Sequence, residues 1–236
     1  MIQHYKIGGY AMENFFENIG FKDFGTEEVV ELFNQEINNN NFTKVNIEND
    51  LSLFQIEVNE KTFISYVVNN ETIVGFNIVY DCKNRNEVIP LAWIPAMDKT
   101  QYFRILNVES QGDMAGMPLN ITVPYEDINF NQTCEFGLFA MAVNAKIYHS
   151  VKELSKNSEM AEESLIPSGT FGIDDNFEPS NEIIMSTKII SAEEQLNQFT
   201  NNSYYLLKAN CLGINLDIIA SQNDFDQTPK AGDIIS

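Results

Sequence analysis

Basic residues are scarce in this chain. Fourteen Lys and Arg stand against 34 Asp and Glu, a formal net charge of −20 over 236 residues, and Arg85 and Arg104 are the only arginines. Affinity for a phosphate backbone comes from clustered Lys and Arg that displace counterions. Here the bases are scattered singly, so nucleic-acid binding is excluded except as a mimic that presents carboxylates in place of phosphates. Long apolar runs are also missing, and no segment is long enough to cross a bilayer. The opening Met1-Ile2-Gln3-His4-Tyr5-Lys6 has neither the basic start nor the apolar block of a signal peptide. These absences give a cytoplasmic expectation and no membrane partner.

Cysteine and histidine are equally sparse. Cys82, Cys134 and Cys211 are odd in number and far apart, so neither a zinc site nor a redox dithiol is indicated. His4 and His149 have no nucleophile motif around them, and no Gly-x-Ser-x-Gly elbow occurs. Phosphate loops are lacking too: Gly8-Gly9 is not followed by the Lys-Ser/Thr of such a loop, and Gly112 and Gly116 lie in a polar connection. No cofactor is implied. The five Asn-x-Ser/Thr sequons, beginning at Asn41, Asn70, Asn120, Asn131 and Asn201, are what chance gives in so Asn-rich a chain.

What is present is a globular composition, 44% hydrophobic with 17 Phe and 9 Tyr. Met12, Phe15, Phe16 and Ile19 recur at helical spacing, and Gly20 is a natural stop. A second helix is expected from Thr26, whose hydroxyl can cap it. Glu27 and Glu28 favour its first turn, Val29, Leu32, Phe33 and Ile37 form its stripe, and Asn38 to Asn41 end it. Phe54, Ile56 and Val58, then Ile64, Tyr66 and Val68, then Val74, Phe76, Ile78 and Tyr80 alternate with polar residues. Such period-two runs between short polar turns are an antiparallel meander. Residues 81–100 read as a loop, with Pro90 and Pro95 flanking Trp93, and this region is taken as the domain boundary.

Beyond it, strands are expected at 102–108, 119–123, 136–148, 183–190, 204–211 and 214–220. Leu212-Gly213 turns the last pair. Ser191-Ala192-Glu193-Glu194 fits a capping box for a short helix. Ile234 and Ile235 read as a short edge strand or as a strand of a longer natural chain, with the second preferred. The fold expected is therefore α+β. Residues 1–95 form N-terminal helices packed on the meander, and residues 96–236 form a β-rich barrel- or sandwich-like unit.

The acids are not evenly spread. From Asn157 to Thr187 there are seven, Glu159, Glu162, Glu163, Asp174, Asp175, Glu178 and Glu182, and no base. This stretch is either a solvated surface or a docking face for a basic protein, in which complementary charge speeds encounter and selects the partner. Interleaved Met160, Leu165, Ile166, Phe171, Ile173 and Phe177 supply an apolar centre for the second reading. Glu159, Glu162, Glu163, Asp174, Asp175 and Glu178 are its expected charge donors. Asp174 to Glu178 lacks the alternating acids and central glycine of a calcium loop, so no metal site is expected. Trp93 is either a packed plug between domains or an exposed recognition ring.

The function expected is a non-enzymatic acidic binding module, immunity- or adaptor-like, for a basic partner. One alternative is a carboxylate enzyme with a cleft between the two units, where two acids sit close together and one has a raised pKa. Another is an assembly subunit whose unpaired last strand completes itself on a neighbour.

Overall fold

A computed structural model describes residues 13–48, 50–95, 101–107, 118–123, 128–170 and 180–236. It is mostly β-sheet with a few short helices. α1 (Glu13–Glu17) is followed by a turn that runs to Gly20, the stop the sequence predicts. That glycine has φ +85, and a Cβ there would lie 3.0 Å from the carbonyl oxygen of Asn202. Both the left-handed backbone and the close approach demand glycine. Gly20→Ala is therefore expected to lower stability by about 1–2 kcal/mol, read as a fall in the urea midpoint at constant slope. An unchanged midpoint would contradict this account.

α2 (Thr26–Asn38) begins at Thr26 as expected, but the Thr26 hydroxyl does not cap it. Its N-cap is Gly25, which has no side chain, and the Glu28 carboxylate caps instead by accepting the Gly25 N–H at 3.0 Å. Asn40, with φ +62, turns the chain away at the other end.

The meander forms as its alternation predicts, with one strand added ahead of it. β1 (Thr43–Glu48), β2 (Leu51–Asn59), β3 (Thr62–Asn69) and β4 (Thr72–Tyr80) pair antiparallel in that order. Phe33 of α2 lies with its ring 5.4 Å from that of Phe54 and 4.7 Å from that of Tyr66, whose hydroxyl donates to the Val29 carbonyl.

The 81–100 region departs from the loop expected of it. β5 (Asn86–Pro95) is a strand, paired in a second sheet with β6 (Gln101–Asn107) and β8 (Cys134–Phe136), while β7 (Pro118–Val123) lies beyond β6. Its prolines occupy positions where a strand tolerates a missing donor. Pro90 abuts a register shift, and Pro95 is the last residue.

The strand expected across 136–148 is broken into pieces of β8, β9 (Phe139–Met141) and β10 (Ile147–Tyr148). After α3 (Val151–Asn157) come β11 (Ser164–Ile166), β12 (Ile184–Leu196), β13 (Ser203–Cys211), β14 (Ile214–Ser221) and β15 (Ile234–Ile235). The third sheet runs β10-β15-β12-β13-β14-β9, with β11 also on β12. Ser191 to Glu194 do not cap a helix: they lie inside β12, opposite Lys208, Leu207, Leu206 and Tyr205. Leu212 and Gly213, at φ +51 and +88, turn β13 into β14 as anticipated. β15 is not an edge strand, since Ile235 pairs with Ile147 on one side and Thr187 on the other. Among the described residues no sheet closes into the barrel entertained for the second half.

The third sheet is the middle layer. On β13 and β14, Leu206 and Ile219 belong to one buried cluster, with α1, α2 and the meander. Their neighbours Leu207 and Ile218 belong to another, with Val88 and Leu119 of the second sheet. Strand alternation thus puts two cores on opposite faces of one sheet. Hydrogen bonds join residues on either side of position 95 as well. The Asn18 side chain donates to the Ala142 carbonyl at 2.7 Å and accepts the Ser221 N–H at 3.0 Å. The fully buried Asn197 donates to Ile19 at 2.7 Å.

Candidate functional site

The acidic segment is shaped by where its apolar residues go. Ser150 starts α3 by accepting the Glu153 N–H at 3.2 Å. After the helix, Leu165 enters the core beside the second sheet and pins the chain there. Alternation along β11 then turns Ile166 outward. Its cross-strand partner is Ile184 of β12, and the two are 46% and 52% exposed. Side chains directly opposite in an antiparallel pair share a face and touch. Glu159, Glu163 and Glu182 nearby in the chain are exposed, and Met160 is half-buried. The result is a small apolar centre in an acidic segment.

The predicted charge donors do not all serve alike. Glu159 is exposed and free to face solvent. Glu162 pairs with Lys188 at 3.2 Å. The Glu163 carboxylate accepts the backbone N–H of Leu212, tying the segment to the β13–β14 turn. Asp174, Asp175 and Glu178 lie outside the described residues, as do Phe171, Ile173 and Phe177. Trp93 falls on β5, but its side chain is outside the described set, and β5 belongs to a different sheet from β11 and β12.

Two other polar groupings bear on chemistry. Asp217 is buried on β14, and burial raises its carboxyl above the usual range, while a hydrogen bond from Asn84 and the charges of Lys208 and Lys61 oppose this. Burial, then Asp217 and Asp81, push the nearby Cys82 thiol up to about 12. Such a thiol is inert. Asp224 is also raised, by burial first and then by Glu17, but its carboxylate is engaged in accepting the Ser221 N–H at 3.1 Å. The adjoining depression, lined by Glu17, Lys22, Asn202 and Gln222, is small, about 40 Å³. Among the described residues no group of three His, Cys, Asp or Glu is placed to hold a metal ion.

His149 follows β10, and its Nδ1 lies 2.8 Å from Oδ1 of Asp233. The adjacent Ser150 hydroxyl is the helix cap, so the pair has no nucleophile in line. Sequence reasoning missed this contact because 84 residues separate its partners. It missed the asparagine contacts for another reason, since Asn in sequence signals turns.

No known protein family, curated protein or solved structure matches this chain. Among the described residues, no helix is long and apolar enough to cross a membrane.

Proposed function

We propose that the protein is a non-enzymatic binding module whose β11–β12 face receives a basic protein partner. The observation that carries this reading is the exposed Ile166–Ile184 pair within a segment of exposed carboxylates. An apolar centre supplies binding energy on losing water, and charges around it steer and select. A solvated surface whose only task is solubility has no need of two exposed isoleucines facing out together. Glu159 and Glu182 are the carboxylates best placed to meet a partner, because Glu162 and Glu163 already hold groups of the chain itself. An immunity protein or a regulatory adaptor is the kind of module this describes. The three cysteines are free, a state that a reducing compartment maintains, and we place the protein in the cytoplasm.

The test is retention of lysate proteins on the immobilised chain at low salt, eluted with a salt gradient. One basic protein held in stoichiometric amount is expected. Ile166→Ser with Ile184→Ser should weaken that capture by tenfold or more, on the order of two buried aliphatic contacts. Glu159→Lys with Glu182→Lys should lower it and flatten its salt dependence. A smear of abundant basic proteins, retained equally by the variants, would overturn the proposal.

A further inference from the structure

The fold holds its last strand in an unusual place. β15 has two residues, yet it sits inside the sheet, with β10 on one side and β12 on the other. Ile234 is buried against Tyr148 and Leu154, so release of the strand would open that cluster. The turn leading in is organised by Asp233. Its Oδ2 accepts the Lys230 N–H at 3.1 Å, and its backbone carbonyl accepts the Ile189 N–H at 2.8 Å. The Gly232 N–H donates to Ile189 at 2.9 Å, and the Ser236 N–H to Lys146 at 3.0 Å. Its remaining carboxylate oxygen meets His149, which projects from the connection between β10 and α3.

We propose that segment 229–236 is a pH-gated latch, in which protonated His149 clamps Asp233 and keeps β15 seated between β10 and β12. Loss of the proton loosens the clamp, lets the strand leave, and bares the edge of β12 at Thr187 to Ile189. The geometry suits this role because the carboxylate is buried while the ring is partly exposed, at 3% and 37%, so protons reach the switch from solvent. The groups facing the ring are Asp233 and Gln227, which both raise its affinity for the proton, and Lys230, which lowers it. Glu153 of α3 accepts the His149 backbone N–H at 2.8 Å and adds negative charge beside it.

The sign follows from that balance. The Asp233 hydrogen bond, then that of Gln227, lift the folded pKa above the ordinary 6.5. A group raised in this way contributes its full stabilisation below 6.5 and loses it as pH climbs through the folded value. The latch is therefore closed in mild acid and loosens as the pH climbs past the raised folded value. This inference does not depend on the proposed partner.

Hydrogen exchange on the whole protein, corrected for intrinsic rates, tests it at the amides of Ile189, Gly232 and Ser236. Between pH 5.5 and 8.5 their opening constants should rise roughly five-fold, the scale of one exposed charge-assisted hydrogen bond, while β13 amides, which report deeper unfolding, change less. In His149→Asn the amide can donate to Asp233 at every pH, and in Asp233→Asn the charge is gone. Both variants should lose the pH dependence. A wild-type opening that ignores pH, or a dependence that survives in either variant, would overturn the latch.

Discussion

Asn86→Ala is expected to destabilise the protein by about 2–4 kcal/mol, far more than an asparagine substitution usually does. The side chain is 1% exposed. Its Nδ2 donates to the Asn215 carbonyl at 2.9 Å, and its Oδ1 accepts the Asn215 N–H at 2.8 Å. The amide thus imitates a strand residue and joins the start of β5 to β14. It also reaches Oδ1 of Asn84 at 3.3 Å, and Asn84 itself holds the N–H and carbonyl of Leu138, each at 2.8 Å. Alanine would leave a donor and an acceptor of the half-buried Asn215 without their partner, each costing about 1–3 kcal/mol where water does not replace it. Asn41→Ala, at an exposed position, is the control and should change stability by less than about 0.5 kcal/mol. Urea unfolding of the three proteins decides it. Equal midpoints for the two variants would show that water replaces the lost bonds.

Phe33→Ala is the second large effect, at about 3–5 kcal/mol. Phe33 is fully buried, and its ring lies between those of Phe54 and Tyr66. Truncation removes the transfer energy of the ring and leaves a cavity among side chains held by two strands, which cannot collapse far. Because the same cluster takes in Tyr204, Leu206 and Ile219 of the middle sheet, the loss should be felt beyond the meander. Hydrogen exchange should speed at β13 amides as well as at those of β3. Faster exchange restricted to α2 and the meander would mean that this core is energetically separate from the middle layer.

The elements legible in the sequence are those whose signal is local. β2 and β4 were readable because one face is buried and the other partly wet, so apolar residues recur every second position. β3, buried on both faces from Ile64 to Val68, was readable from the alternation of Ile64, Tyr66 and Val68 between two polar turns. α2 was readable from its stripe and from the acids of its first turn. The Leu212-Gly213 turn followed from the need for left-handed backbone at a two-residue hairpin.

Misreadings arose where a local signal was genuine but outweighed. Ser191 to Glu194 carry the spacing of a helix start, yet seven residues of β12 find partners on β13, and that ladder outweighs a cap. Pro90 and Pro95 argue against a strand, but Pro90 falls beside a register shift and Pro95 at the strand's end, positions where a strand tolerates proline. Buried asparagines are illegible for a deeper reason. Nothing in the sequence separates Asn86, which bonds two backbone groups 129 residues away, from Asn41, which faces solvent.

The candidate face divides the same way. Composition alone determined that the protein is strongly acidic, poor in the groups that bind phosphate, and apolar enough to fold, because charge and hydrophobicity are sums over residues. It also marked the stretch where acids gather without a base. Only the tertiary structure decided which of those acids are committed to the chain, that Ile166 and Ile184 share an exposed face, and that His149 meets Asp233. Those outcomes depend on strand register and on contacts between distant segments, and a register shift of one residue would have turned Ile166 inward and Leu165 out.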